Sequence, residues 1–168
     1  MSTEIDTYSS KHILHDEWTL YHHFPSDKNW TITGYDCLAK GVNSVEKVID
    51  LNSHLTENLI KYSMLFFMRS TVSPLWEDPR NVNGGCFSYK VINKYVVEVW
   101  QQLMFLVCGE TLCNLPVDNL HINGITISPK KNFCIIKIWL DTCDIQDPDR
   151  VVNIEYLTKH GVMFKKHG

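Results

Sequence analysis

Residues 74–85 read PLWEDPRNVNGG, the most turn-rich segment of the chain, because proline, asparagine and glycine recur in it. Trp76 and Glu77 stand in the middle of this segment, where no apolar face has to be closed. An indole can stack on a nucleic-acid base, and a carboxylate can accept both N–H groups on the Watson–Crick edge of guanine. The segment therefore predicts a surface loop that recognises guanine.

A second tryptophan, Trp30, directly follows the loop formed by residues 25–29. Taken singly, Trp30 and Trp76 are each more often a lid or rim residue of a core, and that alternative stays open. The adjacent Glu77 favours a ligand site. Methylation at N7 makes guanine cationic, and a cation gains roughly 0.5–2 kcal/mol over an aromatic face. The two tryptophans together thus favour a methylated guanine.

The elements on either side of these loops indicate the fold class. Alternating, β-branched and aromatic residues predict strands over 14–24, 31–42, 61–68, 86–92, 120–128, 133–140 and 162–164. Helical spacing predicts helices over 45–55 with Ser44 as N-cap, over 94–108, and over 148–158 with Asp147 as N-cap. Strand pairs joined by short loops predict an α+β fold, in which helices cover one face of an antiparallel sheet and the other face stays open to solvent.

Length and composition restrict the functional class. With 168 residues, 44% of them hydrophobic, the chain is predicted to form one domain over 12–168 after a disordered tail over 1–11. The formal net charge of −3 argues against a protein that coats nucleic acid by charge alone, but a local lysine cluster would suffice for one nucleotide. The sequence predicts neither a secretory signal nor a membrane span. Six irregularly spaced cysteines indicate reduced thiols, in the cytoplasm or the nucleus.

Motifs of the common enzyme classes are missing from the sequence. It contains no G-x-S-x-G elbow, no Walker-type phosphate loop and no G-x-G-x-x-G. His22 and His23 are adjacent on a predicted strand and therefore point to opposite faces. Cys108 and Cys113 have no further ligands at a metal-binding spacing. The chain is accordingly predicted to be no enzyme and to hold no metal or cofactor.

A pair of lysines, Lys130 and Lys131, lies on the predicted turn between strands 120–128 and 133–140. Two lysines on one turn can contact phosphate groups. Such a pair is more often a solvated turn, because lysine is mostly exposed, and this alternative also stays open.

The order of these features resembles eukaryotic translation initiation factor 4E, the mRNA cap-binding protein, over residues 12–160. The most specific match is P-x-W-E-D at residues 74–78, followed by Asn81 and Gly84-Gly85. The supporting matches are His12-Ile13-Leu14, Trp18-Thr19-Leu20-Tyr21, Asp27-Lys28-Asn29-Trp30, Val45-Glu46, Trp100, Gly109-Glu110, and Gly124 through Ile138-Trp139.

The resemblance implies a curved antiparallel sheet with three helices on its convex face, and a site for the 7-methylguanosine cap. Trp30 and Trp76 would sandwich the methylated base, Glu77 would hold its Watson–Crick edge, and Trp139 would lie against the N7 methyl group. Lys130 matches a basic position that binds the triphosphate, with Lys131 beside it. Further basic positions of the family fall here on Cys86, Asn132 and Ile135.

The resemblance also implies a partner, the initiation scaffold 4G or a co-diverged equivalent, bound by a chain that is monomeric beforehand. The contacts expected are His12, Leu14, Val45, Ile49, Gln102 and Phe105. Ile49 replaces a tryptophan, and Gln101 and Gln102 replace an apolar and an acidic residue. The prediction is a cytoplasmic translation initiation factor, with a nuclear pool left open. The alternative is a cap-binding repressor that lacks the usual scaffold interaction.

Overall fold

The computed structural model describes residues 11–168, so residues 1–10 of the predicted tail lie outside the described residues. Within that part of the chain, seven strands form one sheet: β1 Ile13–His23, β2 Asp36–Ser44, β3 Met64–Arg69, β4 Gly85–Ile92, β5 Ile122–Pro129, β6 Phe133–Leu140 and β7 Met163–Lys166. The α-helices are α1 Val45–His54, α2 Glu57–Tyr62 and α3 Val96–Cys108. Short 3₁₀ turns occur at Ile32–Gly34, Pro116–His121 and Pro148–Arg150.

The strands lie in the order β2-β1-β3-β5-β6-β4-β7, and every neighbouring pair is antiparallel. The predicted α+β class with an antiparallel sheet is therefore confirmed. The last strand, β7, returns along the chain to pair with β4, which places the 163–167 segment beside the turn-rich loop that precedes β4.

Side chains of the sheet alternate between two faces, as the pleat requires. On β3, Leu65 and Phe67 belong to the main core, which also contains buried side chains from all three helices. Phe66 and Met68 point the other way and join a small apolar cluster. One face of the sheet is thus covered by helices, whereas the other carries only this small cluster and is left accessible.

The first helix begins where the sequence predicts. The Ser44 hydroxyl accepts the backbone N–H of Lys47, which satisfies one of the free donors at the helix start. The helix α2 is absent from the prediction, because its six residues make less than two turns and run into a strand-like stretch. Thr56 caps it by accepting the N–H of Leu59.

The helix predicted over 148–158 is wrong. Asp147 does cap a turn, but that turn ends at Arg150. The chain then continues in an extended form against residues 112–114, with the N–H of Val152 bonded to the carbonyl of Leu112 at 2.9 Å. Val151, Val152 and Ile154 are β-branched and favour this extended backbone.

A buried ion cluster centred on Arg69 ties β3 to loops at one end of the sheet. The Arg69 side chain is only 4% exposed and pairs with both oxygens of Glu110, at 2.5 and 2.7 Å. It also donates to Asp16 at 3.0 Å and to the carbonyls of Asn119 and Ile122. Each of the three guanidinium nitrogens therefore has an oxygen partner.

Candidate functional site

The accessible face of the sheet bears a cavity of about 420 Å³. This volume lies in the range of small-molecule sites, which span roughly 300–1,000 Å³. Trp30, Trp76, Glu77 and Trp139 all line it. Side chains from three separate segments are thus brought to one concavity: the loop after β1, the loop after β3, and β6.

The loop carrying Trp30 is closed by its own side chains. Asn29 donates its N–H to Asp27 at 2.8 Å, and its side-chain oxygen accepts both the N–H and the hydroxyl of Thr31. A Cβ at residue 34 would collide with the Asn29 carbonyl, so the close turn needs Gly34. Trp30 itself remains 47% exposed, and its ring is available to the cavity.

The loop carrying Trp76 is held first by Asp78. One carboxylate oxygen accepts both the N–H and the hydroxyl of Ser73, and the other accepts the N–H of Arg80. Partial burial alone would raise the pKa of Asp78, but these hydrogen bonds outweigh that effect and hold the pKa below its ordinary value. The carboxylate form of Asp78 therefore fixes the loop, while Trp76, which is 47% exposed, faces the cavity.

Asn81 closes the same loop from inside. It is fully buried, its amide donates to the carbonyls of Ser73 and Leu75, and its oxygen accepts from Asn123 on β5. A Cβ at Gly84 would collide with the carbonyl of Leu140, where the loop meets β6. Asn81 and Gly84 thus have structural roles in the 74–85 segment, whereas Trp76 and Glu77, earlier in the same segment, line the cavity.

Glu77 is exposed and lines the cavity, and among residues 11–168 its carboxylate is in no ion pair. The charge of Glu77 affects the pKa of Tyr35, another residue of the cavity wall. Burial, and secondarily the charge of Glu77, raise the pKa of Tyr35 to about 12. Tyr35 is therefore a neutral phenol at physiological pH, and Glu77 presents an unpaired acceptor to the cavity.

Trp139 forms part of the cavity floor and is nearly buried. Its indole N–H donates to the Thr126 hydroxyl at 3.1 Å, which fixes the ring against β5. The edge of Phe66 meets it with ring centroids 6.4 Å apart, and His167 lies 4.7 Å away. Trp139 is thus a fixed apolar surface, in contrast to the two exposed loop tryptophans.

The lysines that line the cavity differ from Lys130 and Lys131, which the sequence predicts as phosphate contacts. Lys130 and Lys131 are exposed on the β5–β6 turn and do not line the cavity. Lys137, Lys165 and Lys166 do line it. Within residues 11–168 the lysines in ion pairs are Lys61 and Lys159, so the amines at the cavity are uncompensated.

Strand geometry explains this arrangement. Lys137 lies two residues before Trp139 on β6 and so points to the same face. Lys165 pairs with Cys86 across the β4–β7 register, which brings it to the cavity from the far end of the chain. Lys137 could have been predicted from the period of two along β6. Lys165 depends on a strand pairing that no local pattern predicts.

Within residues 11–168 no group of three or more His, Cys, Asp or Glu side chains could hold a metal ion. All six cysteines are free. Burial raises the pKa of Cys134 to about 11 and, together with the charge of Asp118, that of Cys113 to about 12, so both stay thiols. No helix in this part of the chain is long and apolar enough to cross a membrane.

The family described as Eukaryotic initiation factor 4E matches residues 13–167, nearly all of the described chain. This chain belongs to the eukaryotic initiation factor 4E family. Its members are mRNA cap-binding translation initiation factors, not enzymes.

Individual relatives of the initiation factor 4E family are distant. The chain is 44% identical to the initiation factor 4E homolog of Acanthamoeba polyphaga mimivirus over 61 residues, which are 36% of this chain and 22% of the relative. It is 27% identical to initiation factor 4E of Candida glabrata over 142 residues, which are 82% of this chain and 66% of the relative. The chain thus spans less than two thirds of either relative's length.

A solved structure supports the initiation factor 4E fold. The crystal structure of a schistosome initiation factor 4E, complexed with m7GpppG and 4E-BP, superposes with a TM-score of 0.70. The superposition covers 80% of this chain and 75% of that one, at 24% sequence identity.

The side chains expected to bind a partner of initiation factor 4E lie on and beside α1 and α3, which pack against each other on the helical face. Val45, Ile49, Gln102 and Phe105 are exposed there. His12 is also exposed and is bonded to Glu46 at the start of α1, at 2.7 Å. Leu14 is half-buried and packs on the core, so less of its surface is accessible.

Proposed function

We propose that this protein binds the 7-methylguanosine cap of mRNA and acts as a translation initiation factor in the cytoplasm. The observation that carries the proposal is the convergence of Trp30, Trp76, Glu77 and Trp139 on one cavity. The schistosome relative binds m7GpppG in its crystal structure, which supports the same ligand.

The proposed recognition follows from the chemistry of these side chains. The exposed indoles of Trp30 and Trp76 would stack on the two faces of the base, each base–aromatic contact contributing about 1–3 kcal/mol. The unpaired carboxylate of Glu77 would accept two N–H groups from guanine, as charge-assisted hydrogen bonds. The positive charge of the N7-methylated base would add a cation–π contribution that unmethylated guanine lacks.

Tryptophan fluorescence tests the function directly. We expect 7-methyl-GTP to quench the emission strongly, because a cationic base would cover both exposed indoles, and GTP to quench it far less. A titration of the protein with each nucleotide measures both affinities. Equal responses to the two nucleotides, or no response to either, would mean that the family fold is present without its ligand.

We further propose that Lys137, Lys165 and Lys166 contact the phosphates of the cap. The support is their place in the cavity wall and their lack of ion-pair partners within the described chain. Lys130 and Lys131 remain candidates for phosphates further from the base, because their turn follows Ser128, which also lines the cavity.

Two double variants distinguish the contributions of the two groups of lysines to phosphate binding. We expect Lys137→Ala with Lys165→Ala to weaken 7-methyl-GTP binding at low salt and to reduce the dependence of its affinity on salt concentration, because each amine lost removes a screened charge contact to phosphate. Lys130→Ala with Lys131→Ala serves as the matched control and should change this dependence less. Affinities measured at several salt concentrations give the dependence for each variant. A larger change in the control would assign the phosphates to the turn instead.

The helical face is the proposed partner surface. The schistosome relative is in complex with 4E-BP in its crystal structure, which supports a protein partner of that kind. A scaffold would make the chain an initiation factor. The second candidate function, a cap-binding repressor, is favoured by Ile49 and Gln102, which replace the tryptophan and the acidic residue implied by the family resemblance.

A further inference from the structure

His23 lies directly behind Trp30. It is the last residue of β1, its side chain is completely buried, and it points to the same face of the sheet as the cavity. The two rings are parallel within 3°, with centroids 4.0 Å apart. One face of the Trp30 indole therefore rests on the His23 imidazole.

Both nitrogens of the His23 ring meet carbonyl oxygens. Nδ1 is 2.9 Å from the oxygen of Phe24, and Nε2 is 2.8 Å from the oxygen of Asn29. A carbonyl oxygen can only accept, so a hydrogen bond at either contact requires a proton on that nitrogen. A neutral imidazole carries one N–H and would turn a lone pair toward one of the two oxygens. The imidazolium form satisfies both bonds at once.

We infer that His23 is an imidazolium clasp that positions Trp30 for stacking on the ligand, an inference that rests on the proposed function. The two carbonyls lie at opposite ends of the loop between β1 and Trp30, so the doubly protonated ring joins those ends. Removing one proton turns a ring lone pair toward one of the two carbonyl oxygens. The hydrogen bonds of Asp27 and Asn29 still hold the loop, but the ring moves away from that oxygen and Trp30 loses its support on one side.

Burial disfavours a charged ring at His23, and the two carbonyl oxygens and the face of the Trp30 indole offset that cost. Tyr35, whose ring centroid is 4.8 Å away, stays a neutral phenol because its pKa is raised to about 12. The β3 residue opposite His23 is the apolar Met64. Glu77 also lines the cavity, and its negative charge contributes to the raised pKa of Tyr35. The charged side chains on the loop itself are Asp27 and Lys28.

The clasp makes ligand binding dependent on pH in one direction. The clasped form is present at low pH and is lost as pH rises and the ring gives up a proton. Loss of one hydrogen bond, which acts on the ligand only through Trp30, is expected to weaken binding of 7-methyl-GTP by about fivefold. Ionisation of the nucleotide also affects binding, but it affects wild type and variant alike. The ratio of their affinities therefore isolates the protein's contribution.

The test compares wild type with His23→Phe, which keeps a flat ring behind Trp30 but cannot bond to either carbonyl. Affinities for 7-methyl-GTP are measured from about pH 5 to about pH 8, where histidine commonly titrates. The matched control is His22→Phe, the same change one residue earlier, on the helical face of β1. Nitrogen NMR of the His23 ring in wild type reports the number of ring protons without any ligand.

We expect wild type to bind more tightly than His23→Phe at low pH and this advantage to fall by about fivefold toward high pH. The His22→Phe ratio should be flat, and the NMR should show two ring protons at low pH. A constant His23→Phe ratio, or a single ring proton at the low-pH end, would overturn the inference. If wild type fails to bind 7-methyl-GTP, the proposed function fails, and the ring protons alone then decide whether the clasp exists.

Discussion

Replacement of Glu77 by glutamine is expected to lower the affinity for 7-methyl-GTP by about two orders of magnitude. The carboxylate offers two acceptors to the two N–H groups of guanine, whereas an amide offers one acceptor and turns its NH₂ group against a donor. Two charge-assisted hydrogen bonds are thus lost or weakened in a partly desolvated site. The side chain is exposed, so the free energy of unfolding should change by less than about 0.5 kcal/mol.

Isothermal titration of Glu77→Gln with 7-methyl-GTP measures this loss, and denaturant unfolding checks the fold. Glu98→Gln is the matched control, because Glu98 is an exposed glutamate of α3 on the helical layer. It should bind like wild type. Full affinity in Glu77→Gln would remove this carboxylate from base recognition and leave stacking as the main contribution.

Replacement of Arg69 by alanine is expected to reduce the free energy of unfolding by about 3–5 kcal/mol. The guanidinium is the only cation bonded to Glu110 within the described residues, and it also satisfies the carbonyls of Asn119 and Ile122. Its removal leaves a carboxylate that is only 16% exposed without a partner. It also removes the cation that lies 4.7 Å from the centre of the Trp18 ring.

Urea unfolding of the Arg69 variants measures the effect. Arg69→Lys keeps the charge but not the paired geometry, so it should fall between wild type and Arg69→Ala and keeps the test usable if the alanine variant does not fold. Lys159→Ala breaks an ion pair with the exposed Asp149 and should cost less than about 1 kcal/mol. If Arg69→Ala cost no more than Lys159→Ala, the buried cluster would contribute little to stability.

The features that could be predicted from sequence are those set by local chemistry. Prolines, asparagines and glycines mark the 74–85 segment as a loop, and Trp76 and Glu77 stand out because a loop does not need them. Ser44 marks a helix start by its side chain alone. The antiparallel sheet follows from the alternation of apolar residues along consecutive strands.

Features that depend on distant pairing could not be predicted. Lys165 reaches the cavity only because β7 pairs with β4, and the sequence between these strands gives no sign of it. The clasp at His23 depends on two carbonyl positions that backbone folding sets. The wrong helix after Asp147 has the same origin, because pairing with residues 112–114 decides its conformation.

The loops of Trp30 and Trp76 are each closed by bonds between residues of the chain, with Asn29 and Gly34 in one and Asn81 and Gly84 in the other. The conformational entropy of these loops is therefore lost when the chain folds, not when a base arrives. Because the loops are preorganised, we expect the base to bind without loop rearrangement, at a rate set by the diffusional encounter of ligand and protein. The binding heat capacity should then reflect only the surface that base and protein bury, with no contribution from folding of the site.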